Sequence, residues 1–181
     1  MKSTCFTFAL LCLCAFNIKA QLYIGEKSKV SFFSSTSLEN IDAVNSSVKP
    51  LFNSKTGAFA IQARQTEFKF KSSFMQEHYN ENYMESEKFP FAVFIGKVNE
   101  VIDYTKDGVY DVTMTGKLSM HGVELPRVIK GSISVKGEVI TMDSKFNVVV
   151  ADHNIKVPSL YVAKIAEVIE VTFHSEMLPK K

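Results

Sequence analysis

The densest run of chemically capable side chains is MQEHYNENYMESEKFPFAVF, Met75 to Phe94, which holds Glu77, His78, Glu81, Glu85 and Glu87 beside two tyrosines. His78 and Glu81 invite comparison with a zinc-protease helix, where two histidines one turn apart flank a glutamate base. The place for the second histidine is taken by Asn82, and His121, His153 and His174 lack metal-ligand spacing. Glu77, Glu81 and Glu85 recur every four residues. That spacing suits one solvated helix face better than the facing carboxylates of a glycosidase. No Gly-x-Ser-x-Gly elbow occurs, and no serine sits in an activating context. The residues therefore predict no catalysis, no metal and no cofactor. An enzyme using His78 and Glu81 is kept as a rival; it requires His78 in a cleft with a second ionisable group within reach.

The element that positions these groups reads as an amphipathic helix. Ser73-Phe-Met-Gln76 fits a capping box. Met75, Tyr79 and Tyr83 follow at i, i+4, i+8 with Phe74 and His78 beside them, while Gln76, Glu77, Asn80, Glu81 and Glu85 form the wet face. Pro90 pushes Phe89 into an extended conformation, which ends the helix and begins a strand. Around this helix the chain alternates with period two, the mark of half-buried strands. Tyr110, Val112, Met114, Leu118 and Met120 share one parity; so do Ile140, Met142, Phe146, Val148 and Val150, interrupted by Ser144. Ile169, Val171, Phe173 and Met177 make a third apolar face. Phe59, Ile61 and Ala63 fall out of phase with Phe68 and Phe70, so a bulge or bend is expected near Gln65 to Glu67. SKTG, TKDG and MHGVE read as turns, with Gly108 and Gly122 tolerating positive φ. Leu38, Ile41 and Val44 have helical spacing and predict a short helix or looped turn. The class is all-β and antiparallel, closing as a barrel or packing as a sandwich.

The first twenty residues read as a secretory leader. Lys2 is followed by an apolar run from Phe6 to Phe16 and a small residue at Ala20. That run is shorter than the about 20 residues needed to span a bilayer. Cleavage near Ala20 removes Cys5, Cys12 and Cys14, so the exported chain, residues 21–181, has no cysteine and must be held by its core. It also removes Lys2 and Lys19, which balances the remaining basic residues against the 19 acidic ones. A neutral chain without a basic patch predicts no nucleic-acid partner and no stable membrane insertion of the mature protein. A homodimer stays open, as does retention of the leader as an anchor.

Several landmarks together resemble one family. FKFKSSFMQEHYNENYMESEKFPFAVFIGKV matches the YceI-like pattern of an amphipathic helix followed by a lysine-aromatic-proline approach to a strand. VTMTGKLSMHGVELPRVIKGSISV resembles its next hairpin, SKFNVVVADHNIKVP its late segment, and EVIEVTFHSEM its closing strand. His153 departs from the pattern, standing where an aromatic is more usual. The resemblance implies an antiparallel lipocalin-like barrel of about eight strands, with the helix after the third strand region. It further implies a polyisoprenoid or other long amphiphile inside, and export to the bacterial periplasm; no catalytic residues carry over. Cavity lining carries over onto the apolar parities and inner helix face: Phe74, His78, Tyr79, Tyr83, Phe91, Val93, Val112, Met114, Leu118, Met142, Phe146 and Val148. Methionine among them adapts cheaply to an apolar ligand. The rival is a structural or stress-response envelope protein whose barrel is packed solid, because alternation does not distinguish a filled barrel from a hollow one.

Overall fold

The computed structural model describes residues 21–159, 161 and 163–180. The expected leader, 1–20, with its three cysteines lies outside the described residues. The strands are β1 (Leu22–Ser35), β2 (Asn40–Asn45), β3 (Leu51–Asn53), β4 (Ala58–Arg64) and β5 (Lys69–Phe70), followed by helix α1 (Ser73–His78). Then come β6 (Phe91–Val98), β7 (Gly108–Met120), β8 (Val123–Lys136), β9 (Val139–Val149) and β10 (Val168–Pro179). All pairings are antiparallel, and β10 pairs back onto β1. The result is a closed barrel of eight strands, with β2 and β5 as two extra strands at one end.

The registers explain those extra strands. Along β1, Ile24 faces Leu51 and Val30 faces Asn45, so β2 and β3 keep one register and act as a single strand interrupted at 46–50. On its other side, Leu51 faces Ala60 whereas Ala43 faces Phe70. One strand retreats eight residues while its neighbour advances ten, and the surplus is taken up by a tight turn at Gln65–Glu67. The phase slip between Phe59-Ile61-Ala63 and Phe68-Phe70 was the sequence signal for that turn.

Three local expectations are corrected. Residues 40–45 form β2 and not a helix: the far half of β1 needs a partner there, and pairing buries Ala43 and Asn45 almost completely. The spacing of Leu38, Ile41 and Val44 spans too few residues for an isolated helix to hold against that ladder. The cap of α1 is Ser72, whose hydroxyl accepts from Met75 N at 3.4 Å, while Gln76 Oε1 accepts from Phe70 N. Gly108 opens β7 without a positive φ; the preceding loop is turned by Asp103, which accepts from Thr105 N and Thr105 Oγ1. The β7–β8 turn does need left-handed residues, His121 (φ 50°) and Gly122 (φ 76°).

The apolar parities of β7, β9 and β10 face the barrel axis as their alternation demands. Val112, Met114, Met142, Val148, Phe173 and Met177 are buried in one core. Fully burying a side chain such as Met177 contributes about 1.5–3 kcal/mol relative to exposure.

Candidate functional site

The barrel interior is divided across its middle. Towards one end, Tyr23, Phe52, Val98, Val112, Ile133, Ile140, Met142 and Met177 fill the space. Ile102 and Tyr104, from the loop between β6 and β7, close that end, with the Tyr104 ring edge-on to Phe52 at 5.3 Å. Burial first, then the nearby Glu100 carboxylate, pushes the Tyr104 hydroxyl up to about 12.

The other half is hollow, with a cavity of about 340 Å³. Its floor is aromatic: Phe59 meets Phe173 edge-on at 5.6 Å and Phe94 at 6.3 Å. The Phe94 ring lies over the glycine pair Gly96 and Gly116, and a Cβ on either would come within 2.8 Å of Phe94 Cζ. Only bare backbone leaves room for the ring in that position. Ser144 is the polar side chain at floor level; higher up, the walls are Val30, Ile61, Leu118, Phe146 and Val171.

Helix α1 and the wide π turn that continues it, Tyr79–Tyr83, form the roof. The turn ends where Glu85 adopts a positive φ of 42°. Tyr79 is the roof's anchor. Its ring stacks on Phe32 at 5.5 Å and packs against Phe68 and Phe70, and its hydroxyl donates to Gln65 Oε1 at 2.6 Å. Burial raises the Tyr79 hydroxyl far above its ordinary range, so it stays a donor. Gln65 itself is buried, and its Nε2 has no hydrogen-bond partner among the described residues. The rim opposite is built by Glu39, Ile41, Tyr161 and Lys164, with Lys164 Nζ 3.7 Å from Glu39. Ser34 Oγ accepts from Ala166 N and ties this rim to β1.

Of the residues expected around the cavity, Phe74, His78, Tyr79, Tyr83, Met114, Leu118, Phe146 and Val148 do line it. Val112 and Met142 are buried below the floor, in the filled half. Phe91 and Val93 are corrections, because β6 presents the opposite parity. Val93 pairs with Gln62 and Ser119 on the outer side, and Phe91 lies beneath the Arg64 guanidinium at 4.6 Å. Ala92 and Phe94 line the cavity instead. Phe91 to Ile95 are all apolar, so alternation gave no parity there; pairing with β4 decides it. Phe59 and Phe173 sat on recognised apolar parities without being singled out, and Gln65 carried no signal beyond the phase slip.

His78 sits at the rim. Its Nδ1 is 3.1 Å from the Asn82 side-chain amide, and its ring packs on Phe74 at 4.1 Å. Its hydrogen-bond partner is thus not ionisable, and Glu81 is exposed and forms no ion pair among the described residues. No metal-binding group of His, Cys, Asp and Glu occurs among the described residues.

A second polar cluster joins histidines that lie far apart in the sequence. His121 Nε2 is 2.9 Å from Glu85 Oε2, and its Nδ1 is 3.0 Å from the His153 carbonyl. His153 is fully buried, with Arg127 Nη2 3.5 Å from its Nε2. Burial first, and the Arg127 charge with it, lowers the His153 pKa below its ordinary value. This cluster fastens the end of the π turn to the β7–β8 hairpin and to the turn after β9. Its position beside the roof makes it structural support for the cavity.

A family model described as the YceI-like domain matches residues 22–177. No curated protein matches the chain. Among solved structures, it is similar to a polyisoprenoid binding domain from Saccharophagus degradans implicated in plant cell wall breakdown. That likeness has a TM-score of 0.73 and 14% identity, over 90% of this chain and 100% of that one. It is also similar to BcnA of Burkholderia cenocepacia, with a TM-score of 0.71 and 14% identity over 83% of this chain and 95% of that one. The YCEI protein of Campylobacter jejuni aligns over 100% of both chains with a TM-score of 0.58 and 14% identity. At such identities the likeness is one of fold.

Proposed function

The chain belongs to the YceI-like domain family, and from that membership we propose that it is an exported binding protein holding an isoprenoid or other lipid-like amphiphile in its barrel, without catalysis. The observation that carries this reading is the half-barrel cavity, walled almost entirely by apolar side chains and roofed by a helix that meets a rim of polar groups. Such a volume lies at the lower end of the roughly 300–1,000 Å³ typical of ligand pockets. A described relative of this fold is a polyisoprenoid binding domain, which supports the same ligand class here. Export, to a periplasm or beyond the cell, rests on the leader read in residues 1–20. None of the described helices is long and apolar enough to cross a membrane.

The test is native purification followed by analysis of the organic extract, together with uptake of prenyl alcohols by the delipidated protein. A bound amphiphile or saturable uptake is expected. An empty extract together with no uptake would overturn the proposal. It would favour the structural reading, for which the filled half of the barrel already speaks.

A further inference from the structure

We infer that the ligand is a short-chain amphiphile, of about farnesyl length or a medium fatty acyl chain, whose tail stops on the floor made by Phe59, Phe94 and Phe173. This rests on the binding function proposed above and narrows it. The family resemblance led to the expectation of a long chain. The interior argues otherwise, because the space a long chain would need below the floor is occupied.

The depth follows from the strands. On β10 the lining runs from Phe173 at the floor to Ile169 at the rim, and on β9 from Ser144 to Val150. Four to six residues at a rise of about 3.3 Å give about 13–20 Å along the strands. Strand tilt of about 35–45° in a barrel shortens this to an axial depth of about 10–15 Å. A polypeptide covers at most about 3.6 Å with three backbone bonds, so an extended carbon chain needs about 1.2 Å per bond, and the depth accepts about 8–12 bonds, or about two to three isoprene units. Lengthening the pocket would mean displacing side chains at 0–1% exposure, Phe52, Val98 and Met142, and then the Ile102 and Tyr104 plug. Phe94 has nowhere lower to go, because it already rests on Gly96 and Gly116. The tail points to the floor and the polar head to the rim. The lower wall is apolar apart from Ser144 at floor level. The polar lining residues Ser34, Gln65 and Ser72 belong to the elements under and beside the roof, and Glu39, His78, Tyr161 and Lys164 stand at the mouth.

The experiment titrates the delipidated mature protein with geraniol, farnesol, geranylgeraniol and octaprenol, reading affinity by calorimetry and complex mass by native mass spectrometry. Farnesol is expected to bind tightest and octaprenol at least about tenfold more weakly. Phe59→Ala opens the floor and should move the optimum to geranylgeraniol. Phe173→Leu, a milder change, should move it the same way if Phe59→Ala fails to fold. Octaprenol binding as tightly as farnesol would overturn the length limit and leave the binding function standing. Failure of every alcohol to bind would overturn the length inference, and only together with an empty native extract would it overturn the binding function. An unchanged optimum in a folded floor variant would overturn the role given to the aromatic floor.

Discussion

The Tyr79 hydroxyl donates to Gln65 Oε1 at 2.6 Å, and through that bond the roof of the cavity is fastened to the kink that interrupts its wall. The opposite atom of the same amide, Gln65 Nε2, is unpartnered among the described residues. Removing the hydroxyl therefore leaves a buried amide with no side-chain partner on either atom. Tyr79→Phe keeps the ring stack on Phe32 and should cost about 1–3 kcal/mol in urea unfolding. An unchanged midpoint would show that the bond contributes nothing net.

The glycine pair beneath Phe94 should tolerate no side chain. A Cβ on Gly116 would meet the Ile95 carbonyl and stand 2.6 Å from Gly96 Cα. Both are backbone atoms that no rotamer change can move. Gly116→Ala is expected to lower stability by about 1–3 kcal/mol, the usual range for overpacking. Because Phe94 Cζ is also in the way, the variant should lose cavity volume, and weaker prenyl-alcohol uptake per folded molecule would report it.

Ser28 and Ser175 share a buried hydrogen bond of 2.7 Å between β1 and β10. Truncating one leaves the other hydroxyl dry, at a cost of about 1–3 kcal/mol, whereas truncating both removes the need for a bond. Ser28→Ala/Ser175→Ala should thus cost less than the sum of its two single variants in a double-mutant cycle. Strict additivity would show the two hydroxyls to be independent.

Acidification should loosen the roof support through His153. Burial in the folded state disfavours the protonated imidazole and lowers its pKa below the ordinary 6.5. The unfolded chain therefore binds more protons in that window, and stability falls as pH drops through about 6.5 towards the lower folded value. Above 6.5 the contribution is complete. The groups facing His153 are Arg127 and Asp152, together with the Met120 carbonyl that its Nδ1 approaches at 3.3 Å. His153→Asn should show a shallower loss of melting temperature on acidification than the unsubstituted chain. Parallel curves for the two would refute the assignment.

What could be read from the chain followed from how strictly it alternates. On β7, β9 and β10, polar residues dominate one parity and apolar residues the other, so the buried face is legible in the sequence. On β6 the apolar run Phe91 to Ile95 fills both parities, and only the ladder with β4 puts Phe94 inside and Val93 outside. The helix announced itself through Tyr79 and Tyr83, whereas its cap slipped by one residue because Ser72 and Ser73 are adjacent and chemically alike. Division of the barrel into full and hollow halves was not legible. It depends on where Phe94 can lie, and so on two glycines that pair across strands. The Glu85, His121, Arg127 and His153 cluster was hidden for a similar reason. Its members come from the end of the π turn, the β7–β8 hairpin and the turn after β9, and meet only in the folded sheet.

The ladder between β1 and β10 also governs when the molecule can exist at all. Lys27 and Glu176 pair across 149 positions of sequence, so the seam that closes the cylinder joins the first strand to the last. Loop entropy must be spent on this contact before it is rewarded, and all-β chains with such distant partners fold in milliseconds to seconds. Until then β1 and β9 each offer a bare edge, the kind that recruits foreign strands. A nascent chain thus keeps open, adhesive edges until its final strand is free to pair. The cavity is walled on every side only after that seam has formed.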